Sequence, residues 1–177
     1  MKDQGWNRVV LALREFLERG REFMTRPEAD EVLREQLRSA SPNGALFLLK
    51  THGATFRAQY LTEILEAIVR GPQQSLVLAR DVMRSLPRGV LEERVPDLIA
   101  ASLEAADDYA YARAGEILVE LRLNELLDVL RAMGTSDADI RWVVDSLENV
   151  EQDPRRWGRL VQAWPIVSDE GGPTVDG

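Results

Sequence analysis

Apolar residues recur along most of the chain at steps of three and four, the spacing that places side chains on one face of a helix. The pattern is clearest over residues 95–150, where it predicts several short amphipathic helices in succession. No segment alternates apolar and polar residues as a half-buried strand does. We therefore predict an all-α protein. The apolar positions of this stretch are Val95, Leu98, Ile99, Leu103, Tyr111, Ala114, Leu118, Leu121, Leu123, Leu126, Leu127, Leu130, Ile140, Val143, Val144, Leu147 and Val150.

The N-terminal part of the chain continues this pattern between turn signals. The first predicted helix contains Gly20, which weakens a helix by roughly 1 kcal/mol relative to Ala. Thr25 and Glu28 have the spacing of a capping box, so we expect the second helix to begin there. The apolar residues of the first helix that we expect to face the core are Trp6, Val9, Val10, Leu13, Phe16 and Leu17. The helices predicted outside the central stretch are 6–24, 25–39, 45–50, 55–70, 72–86, 88–94 and 153–164.

Some of these helices can be superimposed on one another at regular offsets. Leu76, Ala79, Met83 and Leu86 match Tyr111, Ala114, Leu118 and Leu121 at an offset of 35 residues, and those match Ile140, Val143, Leu147 and Val150 at an offset of 29. Helix pairs that recur at such periods are typical of solenoids, in which no single unit buries its apolar face alone. The spacing therefore indicates stacked helix pairs.

Over roughly residues 55–150 the chain resembles the short HEAT-like repeats. The shared features are an acidic turn, a small residue inside the second helix and the leucine spacing. They are best seen at Asp107-Asp108 before YAYARAGEILVEL and at Ser136-Asp137 before ADIRWVVDSLENV. The chain departs from the family pattern at the arginine usual early in the second helix, which does not fall at one aligned position. The three arginines concerned are Arg80, Arg113 and Arg141.

The resemblance implies a right-handed superhelix of about ten short helices. Residues 1–54 would then cap its N-terminal end, 55–150 would form the repeats, and 151–167 would form a C-terminal capping helix. Residues 168–177 are polar and glycine-rich, and we expect a flexible tail there. An irregular helical bundle is the alternative architecture. HEAT-like proteins mostly serve as protein-binding scaffolds, so the resemblance implies a partner protein and not a reaction.

The 177-residue chain is of a size typical of one domain. Its net charge is distributed unevenly along the sequence. Residues 1–60 carry a net charge of +2 and residues 61–177 one of −10. An acidic surface repels phosphate backbones and favours encounter with basic proteins, so we expect a basic partner protein and no nucleic acid.

The chain has no cysteine, no basic leader before an apolar run and no apolar run long enough to span a membrane. We therefore expect a cytoplasmic protein that does not bind membranes.

Few residues suggest catalysis. His52 is the only histidine and has no cysteine to accompany it, which argues against a zinc site or a histidine-based relay. We expect it at the end of a helix, where its ring favours the helix dipole. Glu116 and Glu120 lie one turn apart and could bind a divalent ion, but a solvated face is the interpretation that we favour. We predict no catalytic residue, metal or cofactor, and hence no enzyme.

Two aromatic residues suggest a binding surface. On a helical wheel Tyr109 and Trp142 lie nearly opposite the apolar stripes of their helices, beside acidic residues, as binding anchors often do. Trp142 could instead pack beneath the last helix, which carries Trp157 and Trp164. The predicted partner-binding residues are Tyr109, Asp108, Glu116, Glu120, Trp142 and Asp145.

These features predict a non-catalytic module that binds a basic protein through an acidic helical surface. Bacterial immunity proteins, which neutralise a basic toxin by covering its active site, are small acidic proteins of this kind. One alternative is an adaptor or structural subunit of a larger assembly, including a homo-oligomer. A second is a HEAT-like DNA-modifying enzyme, which the acidic charge disfavours because such enzymes need a basic groove.

The arginines of the first 40 residues alternate with glutamates at three- and four-residue spacing. That spacing indicates pairing along a solvated helix face and argues against a nucleic-acid patch.

Overall fold

The computed structural model describes residues 4–103, 108–123 and 126–133. All regular secondary structure in these ranges is helical, which confirms the all-α prediction for them. The helices are α1 (Gln4–Met24), α2 (Ala29–Leu37), α3 (Asn43–Lys50), α4 (Ala54–Ala58), α5 (Leu61–Val69), α6 (Gln73–Arg84), α7 (Arg88–Ser102), α8 (Asp108–Glu120) and α9 (Leu127–Met133).

Helix α5 is the centre of the packing. It contacts α6, α8, α7 and α2, while α3 lies on both α6 and α2. Its residues Leu61, Ile64, Leu65 and Ile68 are completely or almost completely buried, because the helix is surrounded by other helices on most of its faces. Helix α1 contacts α2, and α9 contacts α8. One cluster of buried side chains joins these elements from Leu33 to Leu130.

The apolar stripes that were matched at an offset of 35 residues are buried as predicted. Leu76, Ala79 and Met83 line the inner face of α6, and Tyr111, Ala114 and Leu118 line that of α8. The last residue of each set, Leu86 or Leu121, is also buried and lies just after its helix. Both helices pack on α5. The third matched set, Ile140, Val143, Leu147 and Val150, lies outside the described residues.

Two predicted helix boundaries are wrong. The helix predicted over residues 55–70 is divided into α4 and α5, because Tyr60 leaves the helical conformation at φ −106° and ψ 18°. Helix α7, by contrast, continues through Pro96, where we predicted a break. Proline removes one backbone hydrogen bond from a helix. The burial of Leu91, Val95 and Ile99 along one face of α7 holds the helix together on both sides of the proline.

The predicted capping box at Thr25 and Glu28 is also absent. The Thr25 hydroxyl donates to the carbonyl oxygen of Glu22 at 2.7 Å, so this side chain helps to end α1. Helix α2 begins at Ala29, and no side chain caps its first turn. Thr25 therefore satisfies an acceptor of the preceding helix and not a donor of the following one.

The apolar stripe of α1 is divided between the core and solvent. Gly20 is buried against α3, where a Cβ atom would lie 2.6 Å from the Leu48 Cδ1 atom. Towards the N-terminus, however, Trp6 is 64% exposed, Val9 56% and Leu13 45%. The prediction that the whole stripe faces the core is thus wrong for this half of the helix. The physical reason is length, since α1 has 21 residues whereas α2 and α3 have 9 and 8.

Within the described ranges, no helix combines the length and the apolar character needed to cross a lipid bilayer.

Candidate functional site

Tyr109, the predicted aromatic anchor, lies in the first turn of α8 and is 54% exposed. Its hydroxyl donates to the Gln73 side-chain oxygen at 2.8 Å and accepts a hydrogen bond from Arg113 at 3.0 Å. The Arg113 guanidinium also lies 4.4 Å from the centre of the tyrosine ring, a cation–π distance. The ring is therefore partly accessible, but its polar end is held by the protein itself.

Arg113 is a buried arginine that holds the junction between α5 and α6. Its Nη1 atom donates to the carbonyl oxygens of Ile68, at 3.3 Å, and Gly71, at 2.5 Å. Its Nη2 atom donates to the Gln73 side-chain oxygen at 2.8 Å. The Ile68 carbonyl belongs to the last turn of α5 and the Gly71 carbonyl lies just beyond it, at the negative end of the helix dipole, so the dipole stabilises the buried cation. The role of Arg113 in this part of the molecule is structural.

Glu116 and Glu120 were predicted to lie on a solvated face of their helix, but both contact arginines of α6. Glu120 is buried, accepts a hydrogen bond from Arg80 at 3.1 Å and forms an ion pair with Arg84 at 3.2 Å. Glu116 is partly exposed and pairs with the same Arg80. The prediction of a solvated carboxylate is thus wrong for Glu120. Because both acids face arginines of α6, this surface of α8 is far less negative than the sequence count indicates.

The other predicted partner-binding residues lie wholly or partly outside the described residues. Asp108 is the first residue of α8, but its side chain is outside what the structure describes. Trp142 and Asp145 also lie outside the described residues. Partner binding by these residues and by Tyr109 stays a prediction.

The same arrangement of charges occurs between α2 and α5. One oxygen of the buried Glu63 accepts hydrogen bonds from Arg34 at 2.9 Å and from Arg38 at 2.8 Å, and Arg38 also pairs with Glu66 at 3.2 Å. The arginine–glutamate pairing predicted along single helices occurs between Arg19 and Glu22 at 3.7 Å, and Arg34 pairs in a similar way with Asp30. In both arrangements two arginines one turn apart on one helix enclose a glutamate of a later helix. The four-residue spacing of the arginines is the sequence signal that would have indicated these ion pairs.

Asp30 and Tyr60 extend the network at α2. The Tyr60 hydroxyl donates to Asp30 at 2.8 Å, and the Arg34 guanidinium lies 4.8 Å from the centre of the tyrosine ring. Hydrogen bonds from Tyr60 and Arg34 lower the pKa of Asp30. Burial, followed by the hydrogen bond to Asp30, raises the pKa of Tyr60. The network joins α2 to the start of α5.

Arginines also bind the carboxyl ends of most central helices. Such carbonyl groups lack partners within their own helix, and a guanidinium can satisfy them. The contacts are Arg94 to Ala58 of α4, Arg113 to Gly71 after α5, Arg57 to Ser85 after α6, Arg70 to Ser102 of α7, and Arg88 to Arg122 after α8. Many arginines of the described chain are therefore committed to structure.

A largely apolar surface formed by α1, α3 and α6 is exposed to solvent. It begins on α1 with Trp6, Val9, Val10, Leu13 and Leu17, which we call the α1 stripe. It continues into a groove beside α1, where Phe16 packs edge-on against Phe47 with ring centres 5.2 Å apart. The groove has a volume of about 560 Å³ and contains Val77, which is 78% exposed. We call it the α3–α6 groove; its lining residues are Phe16, Asn43, Gly44, Phe47, Gln74, Val77, Leu78 and Asp81.

A second concavity, of about 460 Å³, lies among α2, α5 and α7. It is lined by Arg38, Glu66, Arg70 and Ser102, among other residues. Arg38 pairs with Glu66, and Arg70 donates to the Ser102 carbonyl oxygen at 2.8 Å. The charged groups at this concavity are therefore already engaged by other groups of the protein, which makes it a weaker candidate than the α3–α6 groove.

His52 lies at the end of α3, as expected. Its Nδ1 atom is 2.9 Å from the carbonyl oxygen of Leu48, and its ring packs against Phe56 with centres 4.8 Å apart. Across the described ranges, no group of three or more histidine, aspartate or glutamate side chains is arranged to hold a metal ion.

The chain was compared with protein-family models, with curated proteins and with solved structures, and none of the three comparisons gave a significant match.

Proposed function

We propose that this protein is a non-catalytic, helical protein-binding module whose docking surface is the α1 stripe together with the α3–α6 groove. The observation that carries the proposal is the exposure of Trp6, Val9 and Leu13 on a helix whose other end packs into the core. Contiguous apolar patches of this kind mark interaction sites. Tryptophan is also among the residues that contribute most to binding energy when an interface buries them.

The proposed architecture is a HEAT-like superhelix that offers such a surface. Three contacts between consecutive helices support it, because α2 packs on α3, α5 on α6, and α8 on α9, which makes α8 the first helix of its pair and not the second helix that the sequence predicted. The pairs are also stacked in order, since α5 contacts both α2 and α8, and α3 contacts α6. Arginine–glutamate ion pairs also join successive pairs of helices, Arg34 of α2 with Glu63 of α5 and Arg80 of α6 with Glu120 of α8. Stacked repeats present extended surfaces to partner proteins.

Binding of a basic partner, including neutralisation of a toxin as by immunity proteins, is a second candidate function. The acidic surface that favours it lies on α7, where Glu93 and Asp97 are exposed one turn apart. The intervening Arg94 directs its guanidinium to the carbonyl oxygen of Ala58, at 2.7 Å, and away from these acids. Reversing Glu93 and Asp97 to lysine should then weaken partner binding and flatten its salt dependence. The same reversal at Glu120 would be uninformative because that side chain is buried.

The α1 docking surface can be tested by affinity capture with the tagged full-length chain. Leu13→Asp places a charge in the α1 stripe, whereas Leu11→Asp places the same charge on the opposite face of the helix, where Leu11 is 63% exposed. We expect the unmodified protein and Leu11→Asp to retain the same polypeptide, and Leu13→Asp to lose it. Because the contact is apolar, high salt should not release the partner. Equal retention by all three proteins would show that the docking surface lies elsewhere.

A further inference from the structure

We propose that the partner of the α1 stripe is a second copy of this chain, bound through an antiparallel pair of α1 helices. In this dimer Trp6 of each copy enters the α3–α6 groove of the other. The inference rests on the proposed function in one respect, since it takes the α1 stripe and the groove to be the docking surface.

The spacing of the stripe is that of a helix–helix seam. Trp6, Val10, Leu13 and Leu17 are separated by steps of four, three and four, and the series continues to Gly20 and Met24. Apolar residues at alternating steps of three and four let two helices pack side by side along their length. The end of this seam, at Gly20, packs against α3 of the same chain. The beginning of the seam extends beyond that contact into solvent.

The exposed part of the seam is complementary to itself when reversed. In an antiparallel pair Trp6 faces Leu17 of the second copy, and Val10 faces Leu13. The same reversal brings Arg14, at the edge of the stripe, near Asn7 and not near another arginine. A surface that matches its own reversed copy without opposing like charges is suited to a twofold symmetric interface. This self-match favours a second copy over an unrelated protein.

Trp6 and the α3–α6 groove are separated along α1 by a distance that suits an antiparallel pair of α1 helices. Trp6 and Phe16, which lines the groove, are ten residues apart on one helix, or about 15 Å at the α-helical rise. An antiparallel helix of the same length places its own Trp6 level with Leu17, next to Phe16 and Phe47. The groove, at about 560 Å³, is large enough for an indole ring. Twofold symmetry then fills both grooves at once.

The area available indicates a reversible dimer. Since an aromatic side chain buries about 150–250 Å² when fully covered, the exposed parts of Trp6, Val9 and Leu13 offer on the order of 300 Å² per copy. With the grooves and flanking residues of both copies, the interface is on the order of 1,000 Å², at the low end for specific contacts. We therefore expect dissociation in the micromolar range.

Sedimentation equilibrium of the full-length protein, from about 1 to 100 µM, tests the dimer. We expect the unmodified protein and Leu11→Asp to dimerise with increasing concentration and Leu13→Asp to stay monomeric. Trp6→Ala and Val77→Asp, at the two sides of the proposed contact, should each raise the dissociation constant about tenfold or more. All four positions are exposed, so circular dichroism should show the same helix content in every variant.

Crosslinking tests the direction of the helices, because the chain has no cysteine of its own. A mixture of Asn7→Cys and Arg14→Cys proteins should form a crosslinked heterodimer with a short bismaleimide. Each variant alone should crosslink far less.

The homodimer would be overturned by an unmodified protein that is monomeric throughout the range, or by equal dissociation of Leu11→Asp and Leu13→Asp. A monomer whose captured polypeptide is still lost on Leu13→Asp would overturn self-association and leave the docking surface in place. The proposed function and the homodimer can therefore fail separately.

Discussion

The carboxylate of Glu120 is enclosed by the protein and lies 3.1 Å from the Arg80 guanidinium. The pair joins α8 to α6 across 40 positions of sequence, and Arg84 approaches the other carboxylate oxygen at 3.2 Å. Breaking a buried ion pair by removing one partner leaves an uncompensated charge away from water. The contact therefore adds a polar link between two helices that both pack on α5.

We predict that Glu120→Gln lowers the free energy of unfolding by about 3–5 kcal/mol. Glu116→Gln is the matched control, because Glu116 pairs with the same Arg80 but is partly exposed. This substitution should lower the free energy of unfolding by no more than about 1 kcal/mol. Urea denaturation measures both values. Equal effects of the two substitutions would contradict the buried pairing of Glu120.

The raised pKa of Tyr60 makes the free energy of unfolding depend on pH in the alkaline range. Burial and the hydrogen bond to Asp30 raise the pKa of Tyr60 above its usual value of 10.0. The folded protein therefore holds this proton more tightly than the unfolded chain does. The free energy of unfolding should consequently fall as the pH rises above 10.0, and the loss should continue until the pH passes the folded-state pKa.

Measurements of the free energy of unfolding between neutral and alkaline pH test this prediction. Tyr60→Phe should cost about 1 kcal/mol at neutral pH, for the lost hydrogen bond, and should remove this part of the alkaline decline. Tyr109→Phe, which changes an exposed tyrosine, should keep the decline. If Tyr60→Phe and the unmodified protein lose stability in parallel, another group is responsible.

Gly71 lies where the chain passes from α5 to α6 and has no room for a side chain. A Cβ atom at this position would lie 2.2 Å from the backbone oxygen of Ala67. Backbone cannot move aside as the end of a flexible side chain can, so we expect Gly71→Ala to destabilise the protein by about 1–3 kcal/mol. The substitution should also disturb the hydrogen bond from Arg113 to the Gly71 carbonyl oxygen.

Gly89→Ala is the control for this substitution. Gly89 lies in α7, and a Cβ atom there would meet nothing within 4 Å. Since alanine favours helix, this variant should be unchanged or up to about 1 kcal/mol more stable. Thermal and urea denaturation of the two variants give the comparison. A Gly71→Ala protein as stable as Gly89→Ala would show that the turn can rearrange.

Helical periodicity was sufficient to predict α6 and α8 and one buried stripe on each, but not the burial of Val82 in α6 or of Ile117 and Glu120 in α8. It could not predict the break at Tyr60, because the apolar spacing continues across α4 and α5 without interruption. The course of α7 through Pro96 also depends on burial against other helices, which a local proline rule does not include.

The candidate site was harder to predict than the fold for a physical reason. A helical wheel shows that Glu120 lies off the apolar stripe, but not that Arg80 and Arg84 of another helix face it. The wheel likewise shows the stripe of α1 but not how much of it the neighbouring helices can cover. Both properties depend on contacts between distant parts of the chain. The repeated spacing of arginines at Arg34 and Arg38, and at Arg80 and Arg84, was the available signal.

The arginines at the helix ends have a consequence for how the protein can be divided. Each contact joins positions at least 28 residues apart, from Arg57 with Ser85 to Arg113 with Gly71, which are 42 apart. Cutting the chain between any two of these helices would leave an arginine on one fragment and its carbonyl partner on the other. Each buried group left without a hydrogen-bond partner costs about 1–3 kcal/mol. We therefore expect the smallest fragment that folds on its own to contain everything from α4 to α8.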